Sequence, residues 1–395
     1  MRSFTQQEPI PEAAIARAVE VMRSGRLHRY NTAKDEVSET ALLEQEFAAY
    51  LGVRYCLACA SGGYAMAVAL RAFGLEAGEV VATNAFTLSP VPGAIHAAGG
   101  RPVLVESTEN LVLDLDDLEC KLKDNGARIL LLSHMRGHLV DMDALTEILN
   151  RYGVALIEDC AHTMGAAWKG RPSGTFGTAS CFSTQTYKHL NSGEGGFVTT
   201  DNPELMARAV ILSGSYMFYD RHLAGPDDSV YTDIRLDTPN CSGRMDNLRA
   251  ALLRPQLTRL DENVRRWNAR YRAIEQELSG VKGLHLPRRL PEETFVGSSF
   301  QFRVPSLSPR KAEGFVAVCR THGVELKWFG ATEPVGYTSQ HHSWRYSEPQ
   351  IMPQTDHILQ GLFDMRIPLT FSVEDCRLIG RIIRTNLETV VANNS

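Results

Sequence analysis

Four short apolar runs punctuate the first half of the chain. EVVATN (79–84), PVLVE (102–106), RILLLS (128–133) and VALIED (154–159) are of strand length and carry no regular polar alternation, the pattern of strands covered on both faces. Between them apolar positions recur at helical spacing. Met142, Leu145, Ile148, Leu149 and Tyr152 share one face of a helix predicted over 142–152, with Asp141 as its N-cap. A second helix is predicted over 116–123. Strand–helix alternation of this kind predicts an α/β fold, a mostly parallel sheet between helical layers.

The pattern changes after Pro239. A long helical stretch runs from Met245 to about Leu278 and contains Pro255, which starts or kinks a segment. Beyond the connection LPRRLPEE (286–293), a strand at 298–304 alternates with helices at 309–323 and 372–390, as in a smaller α+β domain. The expected division is a large domain over 1–255 and a small one over 256–395, in keeping with a length too great for one small core.

Composition narrows the function. The chain is 44% apolar and 22% charged with a net charge of -5, which argues against nucleic acid or an anionic membrane as partner. The first 22 residues lack a basic-then-apolar signal, and no apolar stretch is long enough to span a bilayer. The expectation is a cytoplasmic protein with its eight cysteines reduced. Cys56 and Cys59 form a C-x-x-C inside an apolar run. No second pair follows at metal-site spacing, so no metal is expected and buried thiols are the favoured reading.

Four segments carry candidate chemistry. In TASCFSTQTYKHLNSGEGGFVTTD (178–201), Lys188 lies between two strands beside glycines that permit close approach. Desolvation there lowers an ammonium pKa, as a Schiff-base lysine requires; a surface lysine in a hairpin turn is the alternative. IEDCAH (157–162) places Asp159 at a strand's carboxyl end, where open α/β sheets bind ligands, with His162 three residues on. A buried carboxylate needs a cationic partner, and a protonated pyridine nitrogen is one; a helix N-cap is the plainer role. In ACASGGYAMAVALRA (58–72), Ser61, Gly62 and Gly63 precede a helix whose free N–H groups and dipole suit a phosphate dianion, and Ser183 offers a hydroxyl to the same group. Phe86, just past a strand, either stacks on a planar cofactor ring or packs in the core.

In this order these segments resemble the DegT/StrS family of aminotransferases dependent on pyridoxal phosphate (PLP), which share the fold type I architecture of aspartate aminotransferase. The resemblance runs from ETALLEQEFAAYLGVRYCLACASGG through FSTQTYKHLNSGEGGFVTTD and RMDNLRAALLRPQL to MPQTDHILQGLFDMRIPL. It implies that Lys188 carries the cofactor as a Schiff base and shuttles the proton, and that Asp159 pairs with the pyridinium. It implies that His162 faces the ring's phenolic side, that Phe86 stacks on the ring, and that Gly62, Gly63 and Ser183 hold the phosphate. It further implies a homodimer with active sites at the interface. Asn240 or Ser242, both near Arg244, is then the residue that reaches into the neighbouring subunit's site.

Two departures from the family pattern stand out. Ser61-Gly62-Gly63 replaces a Ser-Gly-Thr turn, so one hydroxyl to the phosphate is missing unless Ser61 or Tyr64 compensates. The loop His134-Met135-Arg136-Gly137-His138 is unusually basic and follows a strand end. Arg136 there grips either a substrate carboxylate or a structural aspartate, and His134 and Tyr64 are further candidate substrate contacts. In the loops at 215–229 and 328–344, His222, Trp328, His341 and Trp344 either line a pocket or pack. The implied reaction moves an amino group from glutamate or glutamine to a keto-sugar or related ketone. The rivals are a lyase or an aminotransferase using a carboxylate-bearing substrate held by Arg136, and a non-catalytic PLP-binding regulator.

Overall fold

All four apolar runs become strands of one seven-stranded sheet in the computed structural model, which describes residues 3–392. In chain order the strands are β1 (Tyr55–Cys59), β2 (Val80–Asn84), β3 (Arg101–Val105), β4 (Ile129–Ser133), β5 (Ala155–Asp159), β6 (Ala179–Ser183) and β7 (Gly196–Thr200). Their spatial order is β1-β7-β6-β5-β4-β2-β3. β7 is antiparallel to β1 and β6, and every other pair is parallel. Because successive strand side chains point to opposite faces, one sheet feeds two cores. Leu130, Leu132 and Phe197 belong to one, and Leu131, Ile157 and Val198 to the other.

The same alternation explains the C-x-x-C. Three residues apart on β1, Cys56 enters the first core and Cys59 the second, so the sheet itself keeps the two thiols from meeting. Both are buried and free, and burial raises both thiol pKa values.

Helix ends follow the polar signals. Asp141 caps Met142–Tyr152 by accepting from the N–H groups of Asp143 and Ala144, and Asp114 does the same for Leu115–Asn125. The long stretch after Met245 forms two helices, Asn247–Leu257 and Leu260–Leu278, broken at Thr258 and Arg259. Pro255 lies inside the last turn of the first.

A second, antiparallel sheet of β8 (Ser299–Arg303), β9 (Lys327–Trp328) and β10 (Leu362–Arg366), with β10 central, carries the smaller body. The expected division at residue 255 falls within a helix. Leu260, Val264 and Trp267 pack into the first core, whereas Tyr271, Ile274 and Leu278 pack into the core of the second sheet. Phe4, from the other end of the chain, joins that second core edge-on to Phe371.

A buried ion pair fastens the amino-terminal segment to the large sheet. Arg29 donates to both oxygens of Glu44 at 2.8 Å, and Glu44 also accepts the N–H of Ala58 in β1. His222 lies against this pair, 3.1 Å from Arg29 and 2.7 Å from the Tyr30 hydroxyl. Among the described residues no helix is long and apolar enough to cross a membrane.

Candidate active site

The carboxyl ends of β4, β5 and β6 open onto a cavity of about 440 Å³, the position at which open parallel sheets bind ligands. Ser133, Asp159 and Ser183 end those strands and line it, with Lys188 from the loop after β6 and Arg366 from β10 opposite.

Asp159 is buried. It accepts from the Ser133 hydroxyl at 2.9 Å and from the Ala161 N–H at 3.1 Å. Among the described residues it forms no ion pair. A desolvated carboxylate with only neutral donors is a receptor for a cation.

Lys188 keeps part of its surface, yet loss of solvent around the ammonium lowers its pKa to about 7; Asp159 opposes that fall, and Arg136 and Arg366 deepen it. Its Nζ lies 2.8 Å from Nε2 of His162. Burial first, then Lys188 and Arg136, hold the His162 pKa well below the usual imidazole range, so the ring is neutral. Nδ1 accepts the N–H of Arg136 at 3.3 Å, and this pattern assigns the proton to Nε2. That proton needs a lone pair opposite it, which the unprotonated amine supplies. Lys188 is therefore held as a free nucleophile.

On the other side of the cavity the helix Gly62–Phe73 begins. Ser61 caps it, its hydroxyl accepting the Tyr64 N–H at 3.1 Å. The N–H groups of Gly62 and Gly63 have no partner within the helix and line the cavity with Ser183. A Cβ on Gly62 would stand 2.8 Å from that of Ser183, so glycine is what lets the helix start and β6 meet. Such a cradle accepts a dianion.

Phe86, His134 and Tyr64 do not sit where the sequence suggested. Phe86 is buried edge-on to Phe329, with ring centroids 5.2 Å apart, in a core with Met135 and Leu359. The cavity wall nearby is Leu88, Pro90 and Val91, so the core reading of Phe86 is the one observed. His134 turns from the cleft to Glu158, 3.1 Å away; Glu158 and Asp159 are strand neighbours and point to opposite faces. The Tyr64 hydroxyl donates to the Cys241 carbonyl at 2.7 Å and its ring packs on Gly243, outside the lining of the cavity. Arg136 lines the cavity and also lies 2.8 Å from Asp364. Asn240 and Ser242 are exposed and outside the cavity of their own chain.

Of the loop residues, His222 is held by Arg29, and Trp328 and Trp344 are buried. His341 and His342 both face Asp356; only Tyr337 of these loops reaches the cavity. Ser133 and Arg366 were not anticipated. The strand-end rule that singled out Asp159 applies equally to Ser133, whereas Arg366 sits in a segment with no legible periodicity.

The chain belongs to the DegT/DnrJ/EryC1/StrS aminotransferase family, whose model matches residues 9–384. It is 33% identical over 271 residues to the dTDP-3-amino-3,4,6-trideoxy-alpha-D-glucose transaminase of Streptomyces venezuelae, covering 66% of this chain and 65% of that one. It is 31% identical over 325 residues to the L-glutamine:2-deoxy-scyllo-inosose aminotransferase of Streptomyces lividus, covering 80% and 75%. Thus it spans just under two thirds of the length of the first of these relatives. A crystal structure of S. venezuelae DesV in complex with a ketimine intermediate superposes with a TM-score of 0.79 at 26% identity, covering 94% of this chain and 93% of that one. Aminotransferases of this family use pyridoxal phosphate. The residues present fit that group: a lone buried anion, a free amine and a helix-start cradle share one cavity.

Proposed function

We propose that this chain is an aminotransferase that moves an amino group from glutamate or glutamine to the keto group of a sugar or related cyclic ketone. The observation that carries the reading is the 2.8 Å contact between Lys188 Nζ and His162 Nε2 in the cavity that Asp159 also lines. Bound pyridoxal phosphate supplies an aldehyde that takes up amines and a ring that accepts electron density.

The chain's own residues supply the rest. The Lys188 amine, free near neutral pH, is the covalent anchor; once displaced, it removes a proton from the substrate carbon and returns it elsewhere. Asp159, fixed by Ser133 and Ala161, holds a positive charge beside it. The Nε2–H of His162 donates toward an oxygen next to Lys188. Gly62, Gly63 and Ser183 secure the phosphate.

Two further roles belong to this reading. The protein works as a homodimer, with Asn240 or Ser242 entering the neighbouring site. Exposed Tyr216, Met217 and Leu236 lie on the segment leading to those residues and suit burial against a second copy. Residues 1–255 act as the large, cofactor-holding domain and 256–395 as the small carboxyl-terminal one. A lyase using a cysteine acid is disfavoured, because none of the eight cysteines lines the cavity.

The test is a half-reaction. Cofactor-loaded protein mixed with L-glutamine or L-glutamate should change its visible absorbance and release the matching keto acid. Keto-sugars or inososes should then restore the original spectrum. A spectrum unmoved by both donors would refute the reading.

A further inference from the structure

Arg136 is 5% exposed, lines the cavity, and leaves its Nε and Nη2 without a hydrogen bond. Its Nη2 approaches Asp364 Oδ2 to 2.8 Å, but neither atom has hydrogen-bond alignment. Asp364 is committed elsewhere, its Oδ1 accepting from Gln301 at 2.7 Å. Two residues along β10, on the same strand face, Arg366 also reaches the cavity. Its guanidinium carbon lies over the Tyr187 ring, 3.6 Å from the centroid, and its Nη1 is buried without a partner. Lys327, on the neighbouring strand, adds a third cation; burial and the two arginines lower its pKa to about 8, with Asp364 opposing. Asp364 thus answers three cations, two of which present unsatisfied donors.

The backbone aims one of them deliberately. Arg136 has φ 56° and ψ 20°, a left-handed conformation that side-chain-bearing residues seldom adopt, and Gly137 follows at φ +81°. A Cβ at Gly137 would meet the carbonyls of His162 and Val296 at 3.1 Å. Conformational cost of this kind persists where the surroundings enforce it and clusters at ligand clamps.

We infer that Arg136 and Arg366 form a carboxylate subsite, with Asp364 as a counter-ion that keeps the pair in place until substrate arrives. The deduction rests on the transaminase reading and names the substrate group the site selects. Guanidinium forks match a carboxylate in two-pronged geometry. Proximity selects a carboxylate next to the reacting carbon over a remote diphosphate: both guanidiniums share the cavity with Lys188 and act on its ammonium. The carboxylate comes from the amino-acid donor or from an acidic acceptor.

The test separates binding from turnover. Glutarate, which carries no amine or ketone, is titrated against the cofactor-loaded protein by ligand-observed NMR, with neutral glutaramide as control. Glutarate should bind the more tightly of the two. Arg366→Gln should weaken glutarate about tenfold to a hundredfold, the scale of hydrogen bonds to a charged group, and leave glutaramide unchanged. Arg136→Asn, which tolerates left-handed backbone, should do the same. Asp364→Asn keeps the acceptor for Gln301 and should tighten glutarate, an outcome no purely structural role predicts. Equal affinities for the two probes, or weaker glutarate binding in Asp364→Asn, would overturn the subsite even if transamination proceeds. Arginine-dependent glutarate binding with no turnover would sustain it and sink the reaction instead. A rise in half-saturation by L-glutamine in Arg366→Gln, with neutral acceptors unaffected, assigns the subsite to the donor. A rise confined to keto acids assigns it to the acceptor.

Discussion

His162 and Lys188 share one proton-bearing contact of 2.8 Å in which the ring donates and the amine accepts. The amine's pKa of about 7 and the ring's neutrality are two sides of one desolvated arrangement. Its consequence is kinetic. Uptake of pyridoxal phosphate should follow the unprotonated fraction of Lys188, so the rate of covalent attachment should rise about tenfold from pH 5 to pH 6 and level off above pH 7. Stopped-flow absorbance measures this. A rate still climbing to pH 10 would show an ordinary lysine.

Removing the ring's donor should be costly and its replacement should be partial repair. His162→Ala is expected to lower kcat/KM about tenfold to a hundredfold. His162→Gln, which retains an N–H at a similar reach, should recover most of that loss. Steady-state kinetics with a single donor decides it.

The proposed phosphate cradle makes a paired prediction. Gly62→Ala forces a Cβ to 2.8 Å from Ser183 Cβ and should speed cofactor loss on dialysis by about tenfold or more. At Gly63 the added carbon meets only Pro90, at 3.8 Å. Gly63→Ala should hold the cofactor normally and gain up to about 1 kcal/mol of helix stability.

Phe86 and Tyr64 test the corrected assignments. Phe86→Ala should destabilise the fold by about 3–5 kcal/mol through the cavity it leaves against Phe329. Tyr64→Phe should cost about 1 kcal/mol for the lost bond to the Cys241 carbonyl without raising any KM. Urea unfolding and substrate titration read the two effects separately.

Glu44 provides a stability test away from the site. Burial works to raise its pKa, but Arg29 and His222 prevail and hold it at about 2, against 4.5 for the free group. A depressed acid pKa contributes stability above the unfolded value and loses it as pH falls, so this contribution should fade between about pH 4.5 and pH 2. Glu44→Gln strands the Arg29 charge and should cost about 3–5 kcal/mol in urea unfolding at pH 7.

Much of this architecture was legible because parallel strands advertise themselves. A run such as RILLLS can be buried on both faces only within a covered sheet, and the polar residues that end such runs, Ser133 and Asp159, fall at the ligand-binding edge. Helix caps were equally readable, because Asp141 must satisfy N–H groups that nothing else reaches. What escaped depended on partners distant in sequence. His134 follows a strand end as Arg136 does, but Glu158, 24 positions on, draws it away. Phe86 sits where a cofactor-stacking ring was expected, and Phe329 from the second body claims it. Arg366 became visible only once β10 had folded opposite Lys188.

The helix Leu260–Leu278 is common property of both bodies, seated by Trp267 in one and by Tyr271 in the other, with Phe4 pinning the chain's beginning to its far half. One helix thus anchors both the body that carries Arg136 and the body that carries Arg366, so a substitution at Trp267 or Tyr271, neither of which lines the cleft, should be felt as a changed span between the two guanidiniums.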